Sequence, residues 1–209
     1  MEIISLEKLK TKKNIFKLEF DNGESILLSA DIIVKFGLNK GVEIADAVYK
    51  EVIKADKAFR VMFDALTLVG RRSYSAKSLQ EKLLQKGYEP QNAKAAIERL
   101  KELEYINDEK YSKVYAKYLA DRGKGEYAIR QELTEKGISK ELIAAALSSL
   151  KQDSEPFEQI IKLIKQKFKY FDAKDKGEVR RIANFFLRRG FSAEDISKAF
   201  RNYKNINIE

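Results

Sequence analysis

Ile129-Arg130-Gln131-Glu132-Leu133-Thr134-Glu135-Lys136-Gly137-Ile138 decides the fold, because the pattern it carries occurs three times. Its glycine has counterparts in Lys86-Gly87-Tyr88 and Arg189-Gly190-Phe191. Eight and four residues before the three glycines stand Leu79 and Leu83, Ile129 and Leu133, and Ile182 and Phe186. Six, nine, ten and thirteen residues after them stand Ala93, Ala96, Ile97 and Leu100; Ile143, Ala146, Leu147 and Leu150; Ile196, Ala199, Phe200 and Tyr203. Steps of three and four keep apolar side chains on one face of a helix. The shared glycine fits the left-handed residue that ends one helix before the next begins, a conformation glycine adopts without steric cost. The periods, 50 residues from Gly87 to Gly137 and 53 from Gly137 to Gly190, define an internal repeat.

Outward from the glycines the capping signals agree. Ser139 and Ser192 are suited to start the following helices, and Asp195 three residues after Ser192 completes a capping box. Pro90 sits where a first-turn proline is tolerated. A further amphipathic stretch precedes each pair, at roughly 55–69, 109–120 and 157–170. The expected fold is therefore mainly α, a tandem array of three three-helix modules over 54–107, 108–153 and 154–209.

Residues 1–53 read differently. Phe16, Leu18 and Phe20 alternate with Lys17 and Glu19 at strand period, Asp21-Asn22-Gly23 is a hairpin turn, and Ile26 and Leu28 alternate on the return. Ile3, Ile4 and Leu6 suit a third strand. A short helix over 30–36 should end at Gly37. A longer one should place Ile44, Val48 and Val52 on its apolar face and continue through Phe59, Met62, Leu66 and Val69. The predicted N-terminal extension is a β-hairpin with helices packed against it, since a lone hairpin is marginal in water.

The chain of 209 residues is 44% hydrophobic and 35% charged with only 2 Pro and 10 Gly, a balance that favours a helix-rich folded protein over a disordered one. It has neither Cys nor His, so thiol chemistry, disulfides, thiolate zinc sites and the commonest general base are excluded. Met1-Glu2-Ile3-Ile4-Ser5 lacks the pattern of a secretory signal, and no apolar run reaches the roughly 20 residues that span a bilayer. A cytoplasmic, monomeric protein with no membrane association and no metal is the expectation. The charge of +9 is uneven: residues 1–53 carry −1 and residues 54–209 carry +10, which suggests a polyanionic partner.

Two stretches carry a resemblance. One is Ala65-Leu66-Thr67-Leu68-Val69-Gly70-Arg71-Arg72-Ser73-Tyr74-Ser75. The other runs from Tyr105-Ile106-Asn107-Asp108-Glu109-Lys110-Tyr111 through Arg122-Gly123-Lys124-Gly125 to Lys136-Gly137-Ile138. Both resemble the RecX family: a helix closing in a basic pair before a serine-started helix, then an aspartate-led helix, an arginine–glycine turn and a helix closing in lysine–glycine–isoleucine. The resemblance covers roughly 58–205. It implies a non-enzymatic regulator of recombination and repair that binds the RecA filament on single- or double-stranded DNA and inhibits its ATPase and strand exchange, with no cofactor.

The residues suggest where such a partner would be met. Arginine forms paired bonds to phosphate or carboxylate, so the arginine clusters rank first. The candidates are Arg71, Arg72 and Lys77 in module one, Arg122, Lys124 and Arg130 in module two, and Arg180, Arg181, Arg188 and Arg189 in module three. Arg181, Asn184 and Arg188 share one helix face, opposite Val179, Ile182 and Phe186. The alternative is a stand-alone nucleic-acid-binding protein, read from the basic body alone. Tyr111, Tyr115 and Tyr118, at helical spacing, are expected in the core rather than at a stacking platform. Neither a phosphate-cradling loop nor a paired-carboxylate pattern is present, and Gly123-Lys124-Gly125 reads as an interhelical turn.

Overall fold

The computed structural model describes residues 1–9, 14–153, 155–168, 171–172 and 174–206. Three strands come first: β1 (Ile3–Lys8), β2 (Ile15–Phe20) and β3 (Ser25–Ser29), antiparallel in the order β1-β2-β3. The Asn22-Gly23 signal does what its chemistry predicts, with Gly23 at φ 86° and Phe20 N donating to Glu24 O at 2.9 Å. Ile3, Leu18, Phe20 and Leu28 face the core. The short helix α1 (Ala30–Phe36) ends where Gly37 adopts φ 62°, and its amide donates to Ile33 O and Val34 O.

Helix α2 (Asp46–Val69) is a single helix of 24 residues, so the expected boundary at 53/54 falls inside it. Its buried face is Val52, Asp56, Val61 and Ala65. The helix is the expected one and Val52 is buried as expected, but Ile44 is buried ahead of the helix start and Val48 and Leu66 are exposed. The cause is Asp56, a buried carboxylate that an apolar pattern cannot register. It accepts from Ser29 N at 2.9 Å and Ser29 Oγ at 3.0 Å, and pairs with Arg60 Nε at 2.5 Å. Arg60 also donates to Leu27 O at 2.5 Å, so one ion pair fastens β3 to α2.

The helices that follow are α3 (Ala76–Gln85), α4 (Pro90–Glu102), α5 (Asp108–Asp121), α6 (Glu126–Glu135), α7 (Lys140–Asp153), α8 (Pro156–Lys167), α9 (Lys176–Arg188) and α10 (Ala193–Ile206). Of the stretch expected as a helix to 170, residues 169–170 lie outside the described residues. Gly87, Gly137 and Gly190 have φ 90°, 77° and 85°. After each, the next amide reaches back to close the helix end: Tyr88 N to Leu83 O at 3.2 Å, Ile138 N to Leu133 O at 3.1 Å, and Phe191 N to Phe186 O at 3.1 Å. The matched apolar columns are buried in all three copies, with Leu150 alone only half-buried. Ser192 Oγ accepts from Asp195 N at 3.0 Å and donates to its carboxylate at 2.5 Å, so the serine caps the helix and the aspartate holds its hydroxyl, in place of the backbone bond that would complete a capping box.

The chain divides into two compact units, Met1–Arg72 with Leu79–Tyr105, and Ser73–Ser78 with Ile106–Glu209. In the first, the sheet, α1 and α2 share a core of Ile3, Leu18, Phe20, Leu28, Ile32 and Val52, and α2 packs on α4. In the second, α5 packs on α7 around Leu119, Ile129, Leu133 and Ile143, and α8 packs on α10 around Ile160, Ile164, Ile182 and Phe186.

Candidate partner-binding surface

Helix α9 presents the clearest cationic face. Asp175 caps it, accepting from Gly177 N at 2.7 Å and Glu178 N at 3.4 Å, which satisfies amides that a helix start leaves orphaned. Ile182 and Phe186 are fully buried, Phe186 edge-on to Phe185 and Phe191 at 5.2 and 5.6 Å. Burying that side turns Arg180, Arg181, Asn184, Leu187 and Arg188 to solvent. Leu187, 47% exposed beside Arg188, was not singled out from sequence; its place on the polar side of the helical period is the signal that could have found it.

The ten cationic candidates have different surroundings. Arg181 pairs with Glu178 at 3.1 Å and Arg130 with Glu126 at 2.9 Å. Lys124 pairs with Glu132 at 3.1 Å, and the same carboxylate accepts from Tyr115 Oη at 3.1 Å. Hydrogen bonding from Lys124 holds the Glu132 carboxyl below its ordinary range, while burial, then the bond to Glu132, pushes the Tyr115 phenol up to about 12. Arg122 lies over the Tyr118 ring at 5.3 Å and donates to its hydroxyl. Lys77 donates to Glu135 O at 3.1 Å, and Arg72 has an intramolecular partner as well. Arg189 is half-buried and donates to Arg122 O at 2.8 Å and Gly123 O at 3.0 Å, its guanidinium 4.9 Å from the centre of the Phe185 ring. Among the described residues, Arg71, Arg180 and Arg188 are exposed and pair with no carboxylate.

The expectation of core packing holds in part: Tyr111 and Tyr115 pack half-buried against the core formed by α5, α6 and α7, and Tyr118 is exposed. Tyr111, Tyr115 and Tyr118 stack successively at 5.5 and 5.9 Å along the flank of α5, half-buried at one end and 48% exposed at Tyr118. Ser112, Ala116 and Leu119 take the fully buried positions. Among the described residues no three acidic side chains converge as a metal site would need, and no helix is long and apolar enough to cross a membrane.

The three repeats match three family profiles in order along the chain: "RecX, first three-helix domain" over residues 64–100, "RecX, second three-helix domain" over 107–147 and "RecX, third three-helix domain" over 153–200. This chain belongs to the RecX family. A "Regulatory protein RecX" of Bacillus subtilis (strain 168) is 31% identical over 211 residues, spanning 99% of this chain and 78% of that one. One of Clostridium perfringens (strain SM101 / Type A) is 28% identical over 207 residues, spanning 98% and 97%. Two RecX crystal structures share the fold. One, of a "regulatory protein RecX", has TM-score 0.69 at 19% identity over 95% of this chain and 98% of its own. The other, from Lactobacillus salivarius, has TM-score 0.63 at 22% identity over 72% and 98%. Since the C. perfringens RecX aligns over almost its whole length, it also aligns with the N-terminal sheet region here.

Proposed function

We propose that this protein regulates homologous recombination by binding the RecA filament on DNA and restraining RecA's ATPase and strand exchange. The observation that carries the reading is the ordered match of three RecX three-helix domains, with relatives named as regulatory proteins. Repeated modules suit a partner that is itself a repeating polymer, because several weak contacts made together give avidity. The contact surface we propose is the exposed face of α9, Arg180, Asn184 and Arg188, with Arg71 as a second point. Among the described residues these arginines are not committed to an internal carboxylate, so meeting an acidic or phosphate surface breaks no ion pair among those residues. The protein acts in the cytoplasm, without a cofactor.

Purified protein titrated into a single-stranded-DNA-dependent RecA ATPase assay tests this. Hydrolysis should fall at substoichiometric ratios, and hydrolysis unchanged up to equimolar protein would end the proposal. The +10 charge of residues 54–209 also favours direct phosphate contact. Tight, steeply salt-dependent binding to DNA alone, with no effect on RecA, would favour the stand-alone nucleic-acid reading.

A further inference from the structure

The second helices of the modules are linked by a joint that repeats. At the first link, Ser75 Oγ donates to Lys136 O at 2.7 Å and Lys77 Nζ donates to Glu135 O at 3.1 Å. At the second, Gly125 N donates to Arg189 O at 2.8 Å and Tyr127 N donates to Gly190 O at 3.0 Å. The donor positions and the first acceptor of each pair correspond under the repeat, while the second acceptors, Glu135 and Gly190, do not. Ser75 and Gly125 each stand twelve residues before their module glycine, and Lys136 and Arg189 each stand one residue before theirs. In both cases the closing turn of one module's second helix is held by the opening turn of the preceding module's second helix. Carbonyls left open at a helix C-terminus thus meet donors at a helix N-terminus, side chains at the first joint and backbone amides at the second, so that the second joint satisfies orphan groups on both sides.

The packing is close. A Cβ on Gly190 would fall on the backbone of Ala128, one on Gly125 would fall on the backbone of Gly190 and Phe191, and one on Gly137 would lie 2.6 Å from Lys77 Cβ. Gly87, in the first module, meets nothing within 4 Å. The start of α9 is closed by its own Asp175. The series therefore has two filled joints, each sealed by a glycine corner.

We infer that Arg189, a partner contact on the charge reading, is a positioning residue of the second joint, while its neighbour Arg188 faces outward. The Arg189 guanidinium bridges Arg122 O and Gly123 O and lies over Phe185, so it ties the turn between α5 and α6 to the end of α9. Its own carbonyl accepts from Gly125. One residue thus bonds module two through side chain and backbone together and fixes the direction in which the α9 face points. The functional part of this rests on the proposed filament contact; the joint itself does not.

The test compares Arg189→Met and Arg189→Lys with Arg188→Ala in the full chain. Amide hydrogen exchange is read at Gly125 and Tyr127, and affinity is read against preassembled RecA filaments on single-stranded DNA. Arg189→Met should speed exchange at Gly125 and Tyr127 about tenfold or more while Ala199 and Phe200 in α10 stay protected, and Arg189→Lys should recover part of that protection. Arg188→Ala should leave exchange unchanged and weaken filament binding with a shallower salt dependence. Wild-type exchange at Gly125 and Tyr127 in Arg189→Met would overturn the joint assignment, as would uniform loss of protection through α10. Should exchange respond as expected while no variant alters filament binding, the joint stands and the filament reading fails.

Discussion

Ser75 and Lys136, 61 positions apart, are joined by a hydrogen bond of 2.7 Å from a fully buried hydroxyl to a backbone carbonyl. The same Ser75 Oγ accepts from Ser78 N at 3.2 Å, so one atom caps α3 and secures the end of α6. Ser75→Ala should lower stability by about 2 kcal/mol, adding a lost cap to an unpaired carbonyl. Urea denaturation followed by circular dichroism measures it, and a loss below experimental error would show the bond contributes nothing.

The three module glycines should respond unequally to alanine. Gly87→Ala incurs only the left-handed backbone cost, about 1–2 kcal/mol, because open space surrounds its Cβ position. Gly137→Ala should cost more, since the Lys77 stem must move. Gly190→Ala should cost most, since the obstruction is the backbone of Ala128. Melting temperatures in the order Gly87→Ala, Gly137→Ala, Gly190→Ala, highest to lowest, are expected; equal losses would mean that backbone conformation alone sets the requirement.

Asp56→Ala should destabilise the N-terminal unit by about 3 kcal/mol, because it strands Arg60 and leaves the Ser29 amide and hydroxyl without their acceptor. Near-ultraviolet circular dichroism of Tyr49, which packs edge-on to Phe20 at 5.6 Å, offers a local probe. A two-state melt superimposable on wild type would contradict the role given to this pair.

Glu126 accepts from Lys151 at 2.8 Å and Arg130 at 2.9 Å, and Lys151 first holds its carboxyl below the ordinary value of 4.5. A carboxyl lowered by folding contributes stability that is complete above its unfolded value and is lost as pH falls through the folded value. Glu126→Gln should therefore lower the melting temperature at pH 7, and the difference from wild type should shrink as pH falls from the ordinary carboxylate value through the lowered folded value. A constant difference from pH 7 to pH 3 would show that the carboxylate charge is not the cause.

Much of the fold was legible because its cause is local. A glycine forced to positive φ, a proline in the first turn of α4, a serine with an aspartate three residues on, and apolar side chains at steps of three and four leave marks in a short window of sequence. Gly37, Asn22-Gly23 and the three module corners were readable for that reason. The face of α2 was readable only in part, because Asp56 is stabilised by Ser29, 27 positions away. The tyrosines of α5 were legible in part: Tyr111 and Tyr115 flank the core, but the fully buried positions belong to the small Ser112 and Ala116, and Tyr118 is exposed.

The sequence by itself determined three repeated helical modules behind a small sheet, and a surplus of positive charge on the repeats, since backbone preference and composition act residue by residue. Only tertiary structure decided which cations are available. Arg188 and Arg189 are chemically identical and adjacent, yet a helix turns successive side chains by about 100°. One therefore reaches solvent, and the other reaches carbonyls 66 and 67 positions earlier in the chain. Which direction meets which neighbour depends on how separate modules dock, and no local pattern encodes it.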